Sequence, residues 1–124
     1  MTSPASRDLR RVDFVNGAAK KEYMELRSVS EGVRDEADFA TTNLQNKRVQ
    51  ETTKLKGALA GLEEVKIDQD GEAYRVFYLL KYEDRIVIMG ALHKKSHKGG
   101  EIPQEYEETL KKRKTDYLKA LRLN

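Results

Sequence analysis

Residues 91–100, Ala-Leu-His-Lys-Lys-Ser-His-Lys-Gly-Gly, hold three lysines, two histidines and no acid. Cations at that density suit a phosphate or another polyanion. Upstream, Arg75 interrupts the apolar run Tyr74-Arg-Val-Phe-Tyr-Leu-Leu80, where it would share a strand face with Phe77 and Leu79. An arginine in a buried strand is either paired with a carboxylate or used on a ligand. Glu64 and Glu72 are carboxylates that could pair with it, and a phosphate-facing role is the other reading; periodicity leaves both open.

Arg75 on one strand, Lys94 or Lys95 on the next and Lys66 on the one before could converge on a single phosphate. Such a cluster supports RNA cleavage without a metal. The attacking group is the substrate's own 2′-hydroxyl. The protein positions the nucleotide, stabilises charge on the phosphorane and moves protons. A well-placed cationic donor contributes about 3–4 kcal/mol to the middle task. His93, His97 and Tyr106 are candidates for the proton transfers. A metal site is disfavoured: His93 and His97 straddle a strand end and a loop, among lysines that repel a cation. No phosphate-binding glycine loop, nucleophile elbow or paired-carboxylate signature is present. No cofactor is expected.

These residues need strands to carry them. Glu72–Lys81 is rich in Tyr, Val and Phe and reads as a strand. Arg85–Leu92 is apolar on both faces, as in a central strand covered on both sides. Leu62–Ile67 alternates less perfectly, and Asp68-Gln-Asp-Gly71 is a hairpin turn signal. Near the N-terminus, Val12–Val15 reads as a short strand and Asn16 as a helix cap over residues 17–27. Ser28 or Ser30 caps a second helix whose Val33, Ala37, Ala40 and Leu44 share one face; it should fade near Lys47–Gln50. Gly57 and Gly61 punctuate a connector that carries Lys54 and Lys56. Pro103 opens a last helix striped by Tyr106, Leu110, Tyr117 and Leu121. Arg113 leaves a hole in that stripe, and Lys111–Lys114 reads as a solvated cationic face. The order is β-α-α-β-β-β-α, an α+β domain with a small antiparallel sheet, two N-terminal helices and one C-terminal helix.

A chain of 124 residues suits one domain, with residues 1–11 expected as a flexible lead-in. The 38% hydrophobic and 36% charged residues imply a small core and a heavily charged surface. Cysteine is absent, so disulfides, thiolate zinc sites and cysteine nucleophiles are excluded. No apolar run nears the ~20 residues of a membrane span, and a cytoplasmic location is expected. The net charge of +3 is mild, so the distribution of cations says more than their sum.

Leu55-Lys-Gly57, Tyr74-Arg75 before an apolar strand, Ala91-Leu-His-Lys-Lys-Ser96, and Pro103 with Glu105 together resemble the HigB-like, phage-derived branch of the RelE/ParE toxin superfamily. The resemblance covers about residues 37–121 and is strongest from 72 to 113. It implies a type II toxin that acts as a ribosome-dependent mRNA endonuclease. A small helix-turn-helix antitoxin, the ribosome and mRNA would be its partners. By the same resemblance, Arg75 matches the strand arginine expected at the scissile phosphate, and Lys94 and Lys95 match the following basic pair. Lys66 stands where relatives place a basic residue, although Glu64-Val-Lys66 replaces their usual Glu-Leu-Arg. Lys54 and Lys56 would contact ribosomal RNA, and His97 and Lys98 extend the RNA-binding patch. Two other readings stand beside this one: a toxin of the same fold acting on a target such as DNA gyrase, and a non-catalytic module that binds RNA or an acidic partner.

Overall fold

The computed structural model describes residues 9–94 and 102–123. Five strands form one sheet: β1 (Arg11–Phe14), β2 (Thr53–Lys54), β3 (Leu62–Gln69), β4 (Glu72–Leu79) and β5 (Arg85–Lys94). Helices α1 (Gly17–Arg27) and α2 (Glu31–Gln45) follow β1, and α3 (Gln104–Leu123) follows β5. The spatial order is β1-β5-β4-β3-β2. The three long strands pair antiparallel, as expected; the segment expected as a plain connector adds β2, antiparallel to β3, and β1 lies parallel to β5. The two helices between β1 and the rest supply the crossover that a parallel neighbour needs.

Local sequence sets these boundaries. The Asn16 side-chain oxygen accepts the Ala19 N–H at 2.8 Å and starts α1. Of the two serines before α2, Ser30 is the cap, its Oγ accepting the Val33 N–H at 3.1 Å. Ser30→Ala should cost about 1 kcal/mol, measured as a shift of the urea midpoint at unchanged slope. Between β3 and β4 the chain reverses through Asp70 and Gly71, at φ of 52° and 78°. Positive φ at both central residues marks the hairpin turn that the Asp-Gly pair predicts. Arg10 and Arg11, expected within a flexible lead-in, are both held by backbone bonds. Arg10 N–H bonds the Gln45 carbonyl, and Arg11 N–H bonds the Asp84 carbonyl, each at 2.9 Å.

Both faces of the sheet are covered. On one, Val65, Ile67, Tyr74, Val76, Tyr78, Ile86 and Ile88 meet the apolar stripes of α1 and α2. On the other, Leu62, Phe77, Leu79, Val87 and Met89 meet Leu110 and Tyr106 of α3. Alternation lets β5 serve both, and a bulge shifts its phase. Phe77 pairs with Gly90 and Tyr78 with Ile88, so Met89 is the extra residue. Among the described residues, no helix is long and apolar enough to cross a membrane.

Candidate functional site

The strand register decides which cations share a face. Lys66 lies opposite Arg75, which lies opposite Leu92; one step along, Ala73 lies opposite Lys94. Side chains alternate along a strand, so positions 66, 75 and 94 fall on the α3 side of the sheet, on three adjacent strands. The α3 helix itself covers the other end of that face, over Leu62, Leu79, Val87 and Met89.

Arg75 is 5% exposed and donates from Nη1 to Glu64 Oε2 at 2.6 Å. The carboxylate pairing left open by the sequence is therefore present, and Glu64 rather than Glu72 supplies it. The Glu64 side chain is as buried as its partner's. One donor of the guanidinium remains over: Arg75 Nε is buried and has no hydrogen-bond partner among the described residues. Lys66 is half-exposed and stands 3.8 Å from Asp68.

His93 lies on the opposite face. Its ring stacks on Tyr74 at 4.3 Å, and its Nε2 sits 2.9 Å from Glu72 Oε2. Glu22, Glu25, Leu26, Val29 and Ala91 complete a cleft beside it. The sheet thus separates His93 from Arg75, and the neighbours shown around this histidine are acidic rather than basic. His93 cannot join Arg75 on one phosphate without leaving its strand position. Lys54 on β2 and Lys56 are both exposed, and Lys56 lines a separate cleft with Leu55, Leu59, Ile102 and Glu107. Lys95, His97 and Lys98 lie outside the described residues.

Tyr106 and Arg113 belong to a different arrangement. Strand β1 ends at Phe14, and the Val15 N–H to Ile88 carbonyl bond of 3.0 Å follows it. Beyond that point β5 has a bare edge, and side chains fill it. Arg113 donates to the Met89 carbonyl at 3.0 Å. The Tyr106 hydroxyl reaches the Ala91 carbonyl at 3.3 Å, and Glu22 accepts the Ala91 N–H at the same distance. The three side chains also hold one another. Glu22 accepts from Arg113 at 2.8 and 2.7 Å and from the Tyr106 hydroxyl at 2.6 Å. The clasp joins α1 on one face to α3 on the other, around the edge of β5. It covers backbone groups that would otherwise invite another strand.

The Tyr106 hydroxyl, a proton-transfer candidate from sequence, is held in this clasp by Glu22 and the Ala91 carbonyl, and burial and the adjacent carboxylate push it well above its ordinary range. Lys111–Lys114 is not a uniformly solvated face. Arg113 is 8% exposed, and Lys114 Nζ donates to the Ala60 carbonyl at 2.6 Å. The hole that Arg113 leaves in the apolar stripe of α3 is the inner half of an ion pair.

Gly90 sits under the clasp. A Cβ there would collide with the Tyr106 hydroxyl and lie 2.8 Å from Arg113 Nη1 and 2.9 Å from Glu22 Oε1. Gly90→Ala should destabilise by about 1–3 kcal/mol. Adding Tyr106→Phe should recover part of that loss in a double-mutant cycle, because it removes the worst collision.

A mixed five-stranded sheet with two helices on one face and a third on the other, carrying Lys66 and Arg75 of neighbouring strands on the third helix's side, defines a RelE-like α+β domain. The family model described as phage-derived protein Gp49-like (DUF891) matches residues 24–115, and the chain belongs to that family, one of RelE/HigB-like toxins. Neither the curated proteins nor the solved structures gave a significant match.

Proposed function

We propose that this chain is the toxin of a type II toxin–antitoxin pair and that it cleaves mRNA on the ribosome through the substrate's own 2′-hydroxyl. The observation that carries the reading is Arg75. A buried guanidinium fixed by Glu64 keeps its Nε donor unmatched among the described residues, so a phosphate that reached it would meet a free charged donor. An unmatched buried donor costs stability in the free protein, and a phosphate oxygen would satisfy it. Lys66 on β3 and the Lys94 position on β5 flank Arg75 on the same face. Lys95 continues the chain from there, and the connector lysines Lys54 and Lys56 remain exposed for contact with ribosomal RNA. His93, held by Glu72 on the other face, is not assigned a proton-transfer role. In this reading the cationic groups supply charge stabilisation and positioning. A small helix-turn-helix antitoxin would hold the toxin in check in the cytoplasm.

Inducible expression with mapping of mRNA 5′ ends tests this directly. Growth should stop, and new ends should fall within translated messages only. Lys66→Ala, at a half-exposed position, should leave the fold intact and lower cleavage by about 100-fold if the lysine stabilises the phosphorane. Growth arrest with intact messages would sink the nuclease reading. DNA-damage signalling in that case would identify the gyrase-type alternative, and absence of any toxicity would identify a binding module.

A further inference from the structure

Strand β3 has an open edge whose backbone groups the proposed cleavage chemistry does not use, although the Lys66 side chain there is shared with it. Strand β2 covers only Glu63 and Glu64, with one more bond from Leu55 N–H to the Leu62 carbonyl at 3.0 Å. Before β2 the backbone pairing with β3 stops while the chain stays near it: Gln50 bonds Asn43 on α2, Thr52 bonds the Glu63 side chain, and residues 50–53 line a cleft with Glu64 and Lys66. From Val65 to Gln69 no described strand lies beside β3 on that side. A cleft runs there between the edge and α2, lined by Glu36, Phe39, Ala40, Val65, Lys66 and Ile67, with Gln50 at its β2 end. Phe39 stands at its rim with 67% of its surface exposed, unusual for a phenylalanine on a helix whose other apolar residues are largely buried.

The phase of the backbone selects what can pair. The Leu55 to Leu62 bond shows that Leu62 turns its polar groups toward the β2 side. Along an antiparallel strand every second residue does the same, so Lys66 and Asp68 present the free N–H and C=O groups. We propose that this edge is where two copies of the chain associate, β3 against β3, antiparallel about a two-fold axis at Ile67. In that register Lys66 of each copy faces Asp68 of the other. The two residues that carry the unpaired backbone groups are thus also the two of opposite charge. An isologous contact requires such self-complementarity, and any other two-fold register through this segment loses the match. Both lysine–aspartate pairs lie on the α3 side of the joined sheet. On the opposite side, the two α2 helices come side by side with Phe39 between them. Strand β3 has no proline or bulge at this edge, and the charges that guard it, Lys66 and Asp68, are of opposite sign, so they oppose pairing with other strands more than with a second copy in this register.

Sedimentation equilibrium from micromolar to millimolar protein tests this independently of any toxic activity. Wild type should reach twice the chain mass within that range. Asp68→Lys places lysine against lysine and should weaken the dimer by roughly tenfold or more. Lys66→Asp combined with Asp68→Lys restores the opposite charges and should recover dimerisation, with circular dichroism confirming that each variant is folded. Amide exchange at positions 66 and 68 should slow as the dimer forms. A wild-type chain that stays monomeric throughout would overturn the proposal. So would a dimer unaffected by Asp68→Lys, or one that the charge-swapped pair fails to restore.

Discussion

Arg113→Ala should lower the stability of the folded chain by about 3 kcal/mol, read from urea denaturation. The loss has two sources. Glu22 is left partly buried without its ion-pair partner, its side chain being 27% exposed. The Met89 carbonyl on the β5 edge also loses its donor. The exposure of Glu22 puts the figure at the low end of the range for broken buried pairs, because water can reach the abandoned carboxylate. The same pair should govern acid stability. Burial raises the Glu22 carboxyl, but the hydrogen bonds from Arg113 and Tyr106 outweigh it, so the group titrates below its ordinary value of 4.5. A carboxylate depressed on folding adds stability that is fully present above the unfolded value and is lost as pH falls through the folded one. Wild type should therefore weaken progressively below pH 4.5, and Arg113→Ala should show a shallower acid loss. An equally steep loss in both would place the acid sensitivity elsewhere.

The pair of Arg75 and Glu64 gives the second large effect, and it bears on function. Either single truncation leaves a buried charge alone, and Arg75→Ala should cost about 3–5 kcal/mol. Loss of toxicity in that variant would not separate a missing phosphate contact from a failing fold. The double variant Arg75→Met with Glu64→Leu separates them. Replacing both charges by apolar side chains of similar size is close to neutral in a buried site. The double variant should therefore unfold near the wild-type urea midpoint and yet cleave no message. A folded double variant that still arrests growth by cleaving mRNA would remove Arg75 from the mechanism.

Much of this architecture was legible in the sequence because its signals are local. Asn16 and Ser30 cap the helices they precede, and the Asp-Gly pair makes the turn it predicts. The both-face apolar character of β5 correctly marked a central strand. What stayed hidden depended on distance along the chain. Arg113 showed only as a gap in a stripe, because Glu22 lies 91 residues away and on the far side of the sheet. Glu64 was one of two possible partners for Arg75: strand alternation sends Glu72, three residues along β4, to the other face, and the register of β3 on β4 brings Glu64 close. His93 looked like a member of the cationic cluster because it is adjacent in sequence. Strand alternation sends it to the other face, against Tyr74. The two-residue β2 is too short for periodicity to reveal.

The clasp also imposes an order of events during folding. The sheet and α1 can bring Glu22 to the margin of β5, but Arg113 and Tyr106 reach it only when α3 docks. Until then the segment Met89–Ala91 is an unprotected strand margin. The last helix is therefore more than a cover for one face of the sheet, because its docking closes the interval in which the folding chain can pair with the wrong strand.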